Sequence, residues 1–552
     1  FMPILLETTA LTQYAGERLL FSTEPLALYD GDRIGLVGPN GSGKSTLLAI
    51  LSGRLRPDEG TVHARCPIAF FSQLGPGEEA PDPESLSRFG LRGTHAPVDR
   101  MSGGEQSRRK LAASLGKKPP LLFADEPTSN LDWEGIELFC RRMEAQNAFL
   151  LVSHDRAVLE RLCTQIWELR EGKLLRYEGS YDAFERQKEQ ELERRRFEAE
   201  AYRKEKARLE RSMQSLREKQ SAVRRAPSRM GNSETRLHKR SETDTQSKIA
   251  QGRKSIESRL ARLEKKEAPR EAEAVHFDFS LTNPPENKIL LRVPSLTLTA
   301  GEKTLLRDAS FELQKGSHTL LYGPNGCGKT TLMGYLARAI ETESREIFAA
   351  PKLRAGYFQQ SLDNLDPEKT VLENAMRSAV QNEQTVRSLL ARLLFRREDV
   401  YRPVSVLSGG ERVKLSFACL LVSPVNFLLL DEPTNYLDMD SLRALQETLA
   451  QYEGGFLLVT HDRRFADALA RQTLAFENGR LVRHEGGPSA VEREKAAPKP
   501  ETEKMDGKLL ELRLAEVISR LSLPRCPDKE ALEREFQELL RQKREAAARA
   551  KE

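Results

Sequence analysis

The sequence predicts an α/β fold built twice, with a charged α-helical hairpin between the copies and an α-helical extension after them. Three observations carry this: the same words recur in the same order, short apolar runs precede the most polar words, and composition changes sharply between the copies. The first copy reads GPNGSGKST at 38–46, FFSQ at 70–73, MSGGEQ at 101–106, LLFADEPTSNLD at 121–132 and LVSHD at 151–155. The second reads GPNGCGKTT at 323–331, YFQQ at 357–360, LSGGER at 407–412, LLLDEPTNYLD at 428–438 and LVTHD at 458–462. The offset is 285 from Lys44 to Lys329, 287 from Gln73 to Gln360 and 306 from Ser102 to Ser408, so the copies agree closely apart from one length change of 19 residues. It falls between the glutamine and SGGE words.

A chain of 552 residues exceeds one domain of roughly 100–200 residues. We expect four units: 1–182 and 271–487 as the two copies, 183–270 as the hairpin and 488–552 as the extension. No apolar run reaches the ~18 residues that cross a bilayer, which excludes a membrane pore. The start lacks the charged and small-residue pattern of a secretory leader, and Met2 is the expected initiator. Six scattered cysteines without a CxxC argue against a disulfide framework, a zinc site or an iron–sulfur cluster. A reduced, cytoplasmic protein is expected.

Within each copy, Ile34–Val37, Leu121–Ala124, Thr319–Tyr322 and Phe427–Leu430 read as buried parallel strands. In such folds the loops at strand C-termini carry the chemistry. The first of these loops holds Gly38, Asn40, Gly41, Gly43, Lys44, Ser45 and Thr46; its repeat holds Gly323, Asn325, Gly326, Gly328, Lys329, Thr330 and Thr331. Both are P-loops. Phosphate oxygens need many donors at close range, and glycines let backbone N–H groups converge on them. The following helix adds its positive end, the lysine neutralises phosphate charge, and the Ser45 or Thr330 hydroxyl ligates Mg²⁺. Asp125 and Asp431 end strands, where a carboxylate can hold that metal. Glu126 and Glu432 follow, placed to orient or deprotonate water. Ser102, Gly103, Gly104 and Glu105, and their repeat Ser408, Gly409, Gly410 and Glu411, form a second anion-binding turn at a helix start.

This order of motifs resembles the ATP-binding cassette (ABC) ATPases. The resemblance implies two cassettes facing head to tail, the signature turn of each closing over the nucleotide on the P-loop of the other. Site one would then hold Lys44, Ser45, Gln73, Asp125, Glu126 and His154, closed by Ser408–Glu411. Site two would hold Lys329, Thr330, Gln360, Asp431, Glu432 and His461, closed by Ser102–Glu105. It makes Gln73 and Gln360 metal contacts, the histidines sensors of the γ-phosphate, and ATP and Mg²⁺ the ligands. Tyr14 stands where the family stacks a ring on adenine, or is a plain core tyrosine; the corresponding residue of the second copy is Thr299.

Between Glu185 and Ala268, 25 Lys and Arg face 15 Asp and Glu. Leu209, Met213 and Leu216, then Ile249, Ile256, Leu260 and Leu263, form two helical seams. A first helix over 185–222 would be about 57 Å long, with a break near Pro227, Gly231 and Asn232. Beyond Ser489, Leu510, Leu514, Val517 and Leu521, then Leu532, Phe536 and Leu539, give two more helical stripes, either a partner contact or a solvated helix pair.

Two fused cassettes, no transmembrane domain and a long charged linker resemble the ABC-F family, over about residues 4–487. In that family the linker enters the ribosomal E site and reaches towards the P-site tRNA. Only 28 residues separate Gln73 from Ser102, which leaves no room for the arm of housekeeping members, and the chain looks like the antibiotic-resistance, ribosomal-protection members of the Vga/VmlR type. The resemblance implies a monomer that binds the bacterial ribosome, with P-site tRNA and large-subunit rRNA met by Arg224, Arg225, Arg229, Met230, Arg236, His238, Lys239 and Arg240. Lys219–Arg240 carries seven Lys and Arg, one acidic residue and no Phe, Trp or Tyr. That suits threading among phosphates more than stacking on bases. Three readings stand at this point: protection of the peptidyl-transferase centre from drugs with hydrolysis driving release, relief of stalled ribosomes without a drug role, and the ATPase subunit of an exporter. The linker also reads as a solvated spacer. If it meets RNA, ribosome binding weakens as salt rises, and neutralising Arg224, Arg225 and Arg229 flattens that salt slope in co-sedimentation; an identical slope places the RNA contacts elsewhere.

Overall fold

The computed structural model describes residues 2–72, 119–129, 131–223, 250–263, 278–301, 303–358, 364–395, 398–477 and 479–496, with isolated residues at 109, 112, 247 and within 514–540. Each copy is built on a mostly parallel sheet. In the first, eight strands run in the order Leu11–Ala15, Arg18–Thr23, Lys173–Glu178, Gln165–Arg170, Arg33–Val37, Ala148–Val152, Leu121–Asp125 and Ile68–Ser72. In the second, six run Ala355–Phe358, Phe427–Asp431, Gly455–Val459, His318–Tyr322, Gln472–Glu477 and Arg480–Glu485. The P-loop, Asp-Glu and histidine strands are parallel neighbours in both copies. Their apolar runs have the physical basis expected of strands covered on both faces. Ala148–Val152 and Phe427–Asp431 are buried along their whole length. A three-stranded antiparallel sheet flanks each main sheet, with Ile4–Thr8 central in one and Ile289–Ala300 in the other.

Two apolar layers fill each copy, one on either face of its sheet. In the second copy the layer around Phe417 also covers three helices, Val371–Arg377, Glu383–Arg392 and Gly409–Val422. They form the helical side of that cassette. The corresponding stretch of the first copy lies almost wholly outside the described residues. Among the described residues, two apolar side chains cross into the opposite copy's clusters. Met439 of the second is buried in an apolar cluster of the first, and Trp133 of the first packs on a cluster of the second. Burying side chains of this size contributes about 1.5–3 kcal/mol each. Trp133 also meets the Tyr322 ring edge-on at 5.5 Å between centroids.

The first limb of the linker is one helix of 43 residues, Tyr181–Val223, about 64 Å at the usual rise. It begins four residues earlier than expected because Tyr181 and Phe184 are buried against the first cassette. The described part of the second limb is helical over 250–262. Gly252 there lies beside Leu216, whose Cδ1 would be 3.6 Å from an added Cβ. The two limbs therefore pack side by side. The tip, 224–240, lies outside the described residues. In the extension, Leu514 and Val517 are helical and buried, as their spacing suggested.

Gly35 is the tightest point of the P-loop strand. A Cβ there would stand 2.8 Å from Leu159 Cδ2 and 2.9 Å from Ile166 Cδ1. Gly35→Val is expected to destabilise the first cassette by about 1–3 kcal/mol, read as a lower first transition in thermal unfolding; an unchanged transition counts against this packing.

Candidate functional site

Each P-loop leaves the C-terminal end of a buried strand and turns into a helix, Lys44–Leu51 or Lys329–Glu341. The turns need glycine at Gly43 and Gly328, which start these helices with φ 101° and 109°. A Cβ at either would also stand 2.9 Å from Phe21 Cδ1 or Leu305 Cδ1. Neither helix has an acidic residue in its first turn or a side-chain cap. The first-turn N–H groups and the helix dipole are thus offered to an anion. Lys44 Nζ donates to the carbonyls of Gly38 and Pro39 at 2.8 and 3.0 Å; Lys329 does the same to Gly323 and Pro324. Burial pushes the Lys44 pKa down, opposed by Glu126, Asp438 and Asp125.

Asp125 and Asp431 are the last residues of their strands. The P-loop hydroxyl, Ser45 or Thr330, neighbours each carboxylate. Burial raises both pKa values, and the neighbouring hydroxyl opposes that shift. The glutamates that follow turn sharply away: Glu126 has φ 48° and Glu432 φ 49°. A non-glycine residue in this left-handed region costs about 1–2 kcal/mol. Each is pinned there by its own N–H, which donates to Val152 O or Val459 O at 2.9 Å. His154 Nε2 is 3.4 Å from Glu126 Oε1, and His461 Nε2 is 3.3 Å from Glu432 Oε1.

Burial, reinforced by the neighbouring aspartate and opposed by the lysine, pushes Glu126 and Glu432 up to about 8. It pushes His154 down to about 3 and His461 to about 4, so both imidazoles are neutral at physiological pH. Asn325 Oδ1 lies 3.1 Å from His461 Nε2. With acceptor oxygens on that side, Nε2 carries the proton. Among the described residues, Glu126 Oε1, Glu432 Oε1 and the Nδ1 atoms of both histidines are buried without a hydrogen-bond partner.

These groups face a cavity of about 640 Å³ between the copies. It is lined from the second by Lys329, Thr330, Glu432 and His461, and from the first by Glu126, Ser129 and His154. Two aspartates join the copies. Asp132 Oδ1 caps its own helix at Gly135 N (3.0 Å), while Oδ2 accepts from Asn325 N of the opposite P-loop at 3.1 Å. Asp438 caps at Ser441 N (2.9 Å) and accepts from Asn40 N at 3.0 Å. The Asn40 side-chain amide donates to Tyr436 O at 2.8 Å.

The second copy's signature turn closes on the same place. A Cβ on Gly410 would fall 2.6 Å from Tyr436 O and 3.0 Å from Asn40 Nδ2. Ser408 and Glu411 form a capping box: Ser408 Oγ accepts from Glu411 N at 3.3 Å and Glu411 Oε2 from Ser408 N at 2.8 Å. The arrangement is head to tail.

The structure thus brings together the P-loops, Asp125, Glu126, His154, Asp431, Glu432, His461 and Ser408–Glu411. Gln73, Gln360, Ser102–Glu105 and the linker-tip residues Arg224, Arg225, Arg229, Met230, Arg236, His238, Lys239 and Arg240 lie outside the described residues. Tyr14 is half exposed in its strand, its N–H held by Asp58 Oδ2 at 2.8 Å. Thr299 pairs with Thr304, and the cavity lining nearest to it in sequence is Leu305. Sequence reading missed Asp132 and Asp438. Their signal was present, since a Leu-Asp pair closes both Asp-Glu words at the same offset.

Removing the buried glutamates has a pH-dependent effect on stability. The folded protein keeps protons on Glu126 and Glu432 up to about pH 8, whereas unfolded glutamate loses its proton near 4.5. Between these values the native state binds more protons, so stability falls as pH rises. Without nucleotide, the double variant Glu126→Gln, Glu432→Gln should melt above the parent at pH 8, and the gap should close towards pH 4.5. A gap independent of pH in thermal shift assays refutes this.

The sequence profile of the family described as ABC transporter matches residues 24–72 and 306–435. Among the described residues no helix is long and apolar enough to cross a membrane. The ribosome protection protein VmlR of Bacillus subtilis (strain 168) is 30% identical over 99% of this chain and 98% of its own. The erythromycin resistance ATP-binding protein MsrA of Staphylococcus epidermidis is 33% identical over 80% of this chain and 91% of its own. The solved structure of RNase-L Inhibitor superposes with a TM-score of 0.58 at 21% identity, covering 88% of this chain and 92% of that one.

Proposed function

The chain belongs to the ABC-F ATPases, in their antibiotic-resistance branch, and from that premise we propose that it binds the bacterial ribosome at the E site and protects the peptidyl-transferase centre from antibiotics. The observation that carries this is the extent of the match to VmlR, a ribosome protection protein. It spans 99% of this chain and 98% of that protein, so it includes the linker and the extension as well as the cassettes.

The cassettes bind ATP and hydrolyse it. In the proposed mechanism the P-loop amides and Lys44 or Lys329 bind the phosphates. The unpartnered carboxylate oxygens and imidazole nitrogens fit a site completed by a phosphate and a water. Ser45 with Asp125, and Thr330 with Asp431, are the groups that would hold Mg²⁺, together with Gln73 and Gln360. Bound there, Mg²⁺ would supply charge neutralisation for the phosphates. Glu126 and Glu432 accept the proton of the attacking water. Burial sets their pKa near the working pH, where a general base is most effective. His154 and His461 stay neutral beside that carboxylate and sense the γ-phosphate. Ser408–Glu411, and by repetition Ser102–Glu105, close the sites. Closure fits the protein to the ribosome, and hydrolysis permits release. The basic residues at 224–240 meet P-site tRNA and rRNA.

Replacing Ser228–Asn232 with a Gly-Ser turn separates the two activities. Basal ATP hydrolysis should stay within about twofold, because the 43-residue helix Tyr181–Val223, about 64 Å long, leads away from the nucleotide groups towards this segment. Protection against lincosamide, streptogramin A or pleuromutilin drugs should be lost, measured as the inhibitory concentration in a susceptible host, with ATP-dependent ribosome co-sedimentation in parallel. Ribosome binding without protection by the parent protein favours the stalled-ribosome reading. Equal protection by both forms makes the tip a spacer.

A further inference from the structure

The base of the long linker helix touches both cassettes, and in two different ways. Towards the first cassette the contact is apolar and buried. Phe184 packs on Tyr177 and Tyr181 with ring centroids 4.9 and 5.6 Å away. Lys188 Nζ meets Glu168 Oε1 at 2.6 Å, and Glu168 is only 3% exposed. The Asp182 N–H donates to Glu160 Oε2 at 2.7 Å. Such a seat moves with its cassette.

Towards the second cassette, ion pairs line one face of the helix. Asp182, Glu185 and Glu189 are three and four residues apart, so they lie on one helix face. Arg464 reaches Asp182 Oδ1 at 2.6 Å and Glu185 Oε2 at 4.0 Å, and Arg443 reaches Glu189 Oε1 at 3.2 Å. All five side chains are 30–58% exposed. Pairs of this kind form and break readily.

The placement of the two arginines gives these pairs a meaning. Arg464 lies in the first turn of helix Arg463–Leu469, directly behind His461 and its cap Asp462. Arg443 lies in helix Met439–Ala450, whose cap is Asp438, the residue that accepts from Asn40 N. Each arginine therefore travels with a loop of the second cassette that faces the nucleotide cavity. We infer that Asp182, Glu185 and Glu189 with Arg443 and Arg464 form a latch that ties the direction of the linker helix to closure of the two cassettes. They are positioning residues: they touch no reacting atom. When the cassettes close, the arginines arrive at the acidic face and fix the helix. When they part, the helix stays on the first cassette through the aromatic seat at Tyr181 and Phe184, the Lys188–Glu168 pair and the Asp182–Glu160 hydrogen bond.

This rests on the reading that ATP closes the cassettes, and the experiment separates the two. Bioorthogonal spin labels are placed in the full chain at the exposed positions Ser215 and Glu453, reporting linker against second cassette. Labels at Arg56 and Glu453, also exposed, report cassette against cassette. Distances are measured with and without Mg²⁺ and a non-hydrolysable ATP analogue. In the parent both pairs should shift on nucleotide binding. In Arg443→Glu, Arg464→Glu the cassette pair should still shift. Its linker pair should broaden, and the population at the closed distance should fall about two- to fivefold, the size expected for exposed ion pairs.

The swap Asp182→Arg with Arg464→Asp should recover most of the parent distribution, a rescue that a merely structural role would not give. Arg464→Ala with Arg443→Ala serves if the reversed charges impair folding. A linker pair that follows nucleotide equally in parent and arginine variants overturns the latch and leaves cassette closure standing. A parent whose cassette pair ignores nucleotide overturns both.

Discussion

Two carboxylates, Asp132 and Asp438, hold the architecture of the site together. Each spends one oxygen on its own helix and the other on a backbone N–H of the opposite P-loop. A backbone amide offers one direction of approach, so the loop after each Asp-Glu word is fixed relative to the other cassette's phosphate cradle. The residue next in sequence then drives an apolar anchor across the boundary, Trp133 in one direction and Met439 in the other. Polar register and apolar burial are thus set by adjacent residues. The electrostatics follow: Asp438 acts on Lys44 and His154, and Asp132 on His461.

Much of this was legible in the sequence because it is written in local patterns. The buried strands announce themselves as runs such as Leu121–Ala124, and the P-loops as glycines at fixed spacing. Glu126 and Glu432 were legible as residues, but not their left-handed backbone, which depends on a carbonyl from the neighbouring strand. The capping box Ser408–Glu411 was visible as S-x-x-E, yet its motif reads first as an anion turn; one geometry serves both. Asp132 and Asp438 escaped because their second partner is 193 or 398 residues away, and no periodicity reports such a distance. The start of the linker helix was set too late because its charged composition conceals the two aromatic residues that seat it.

Fusion of the cassettes removes a constraint that a symmetric pair would obey. In a two-fold dimer of identical chains both sites must use the same contacts. Here they differ. The Asn40 side-chain amide donates to the Tyr436 carbonyl; among the described residues the Asn325 amide oxygen meets His461, and no such contact joins Asn40 to His154. Tyr436 itself sits at φ 66°, which aims that carbonyl across the boundary. The two sites are alike in their chemical groups and unlike in how those groups are tied.

The sequence separation of Asn40 and Asp438 also bears on how the protein is made. Residues of the first P-loop leave the ribosome early, at synthesis rates of roughly 5–20 residues per second, while the aspartate that must meet them is 398 positions behind. A nascent first cassette has its phosphate cradle and lacks the residues that close it. Neither composite site exists until nearly four-fifths of the polypeptide has emerged. The newborn chain is therefore unable to adopt its closed form for most of its synthesis.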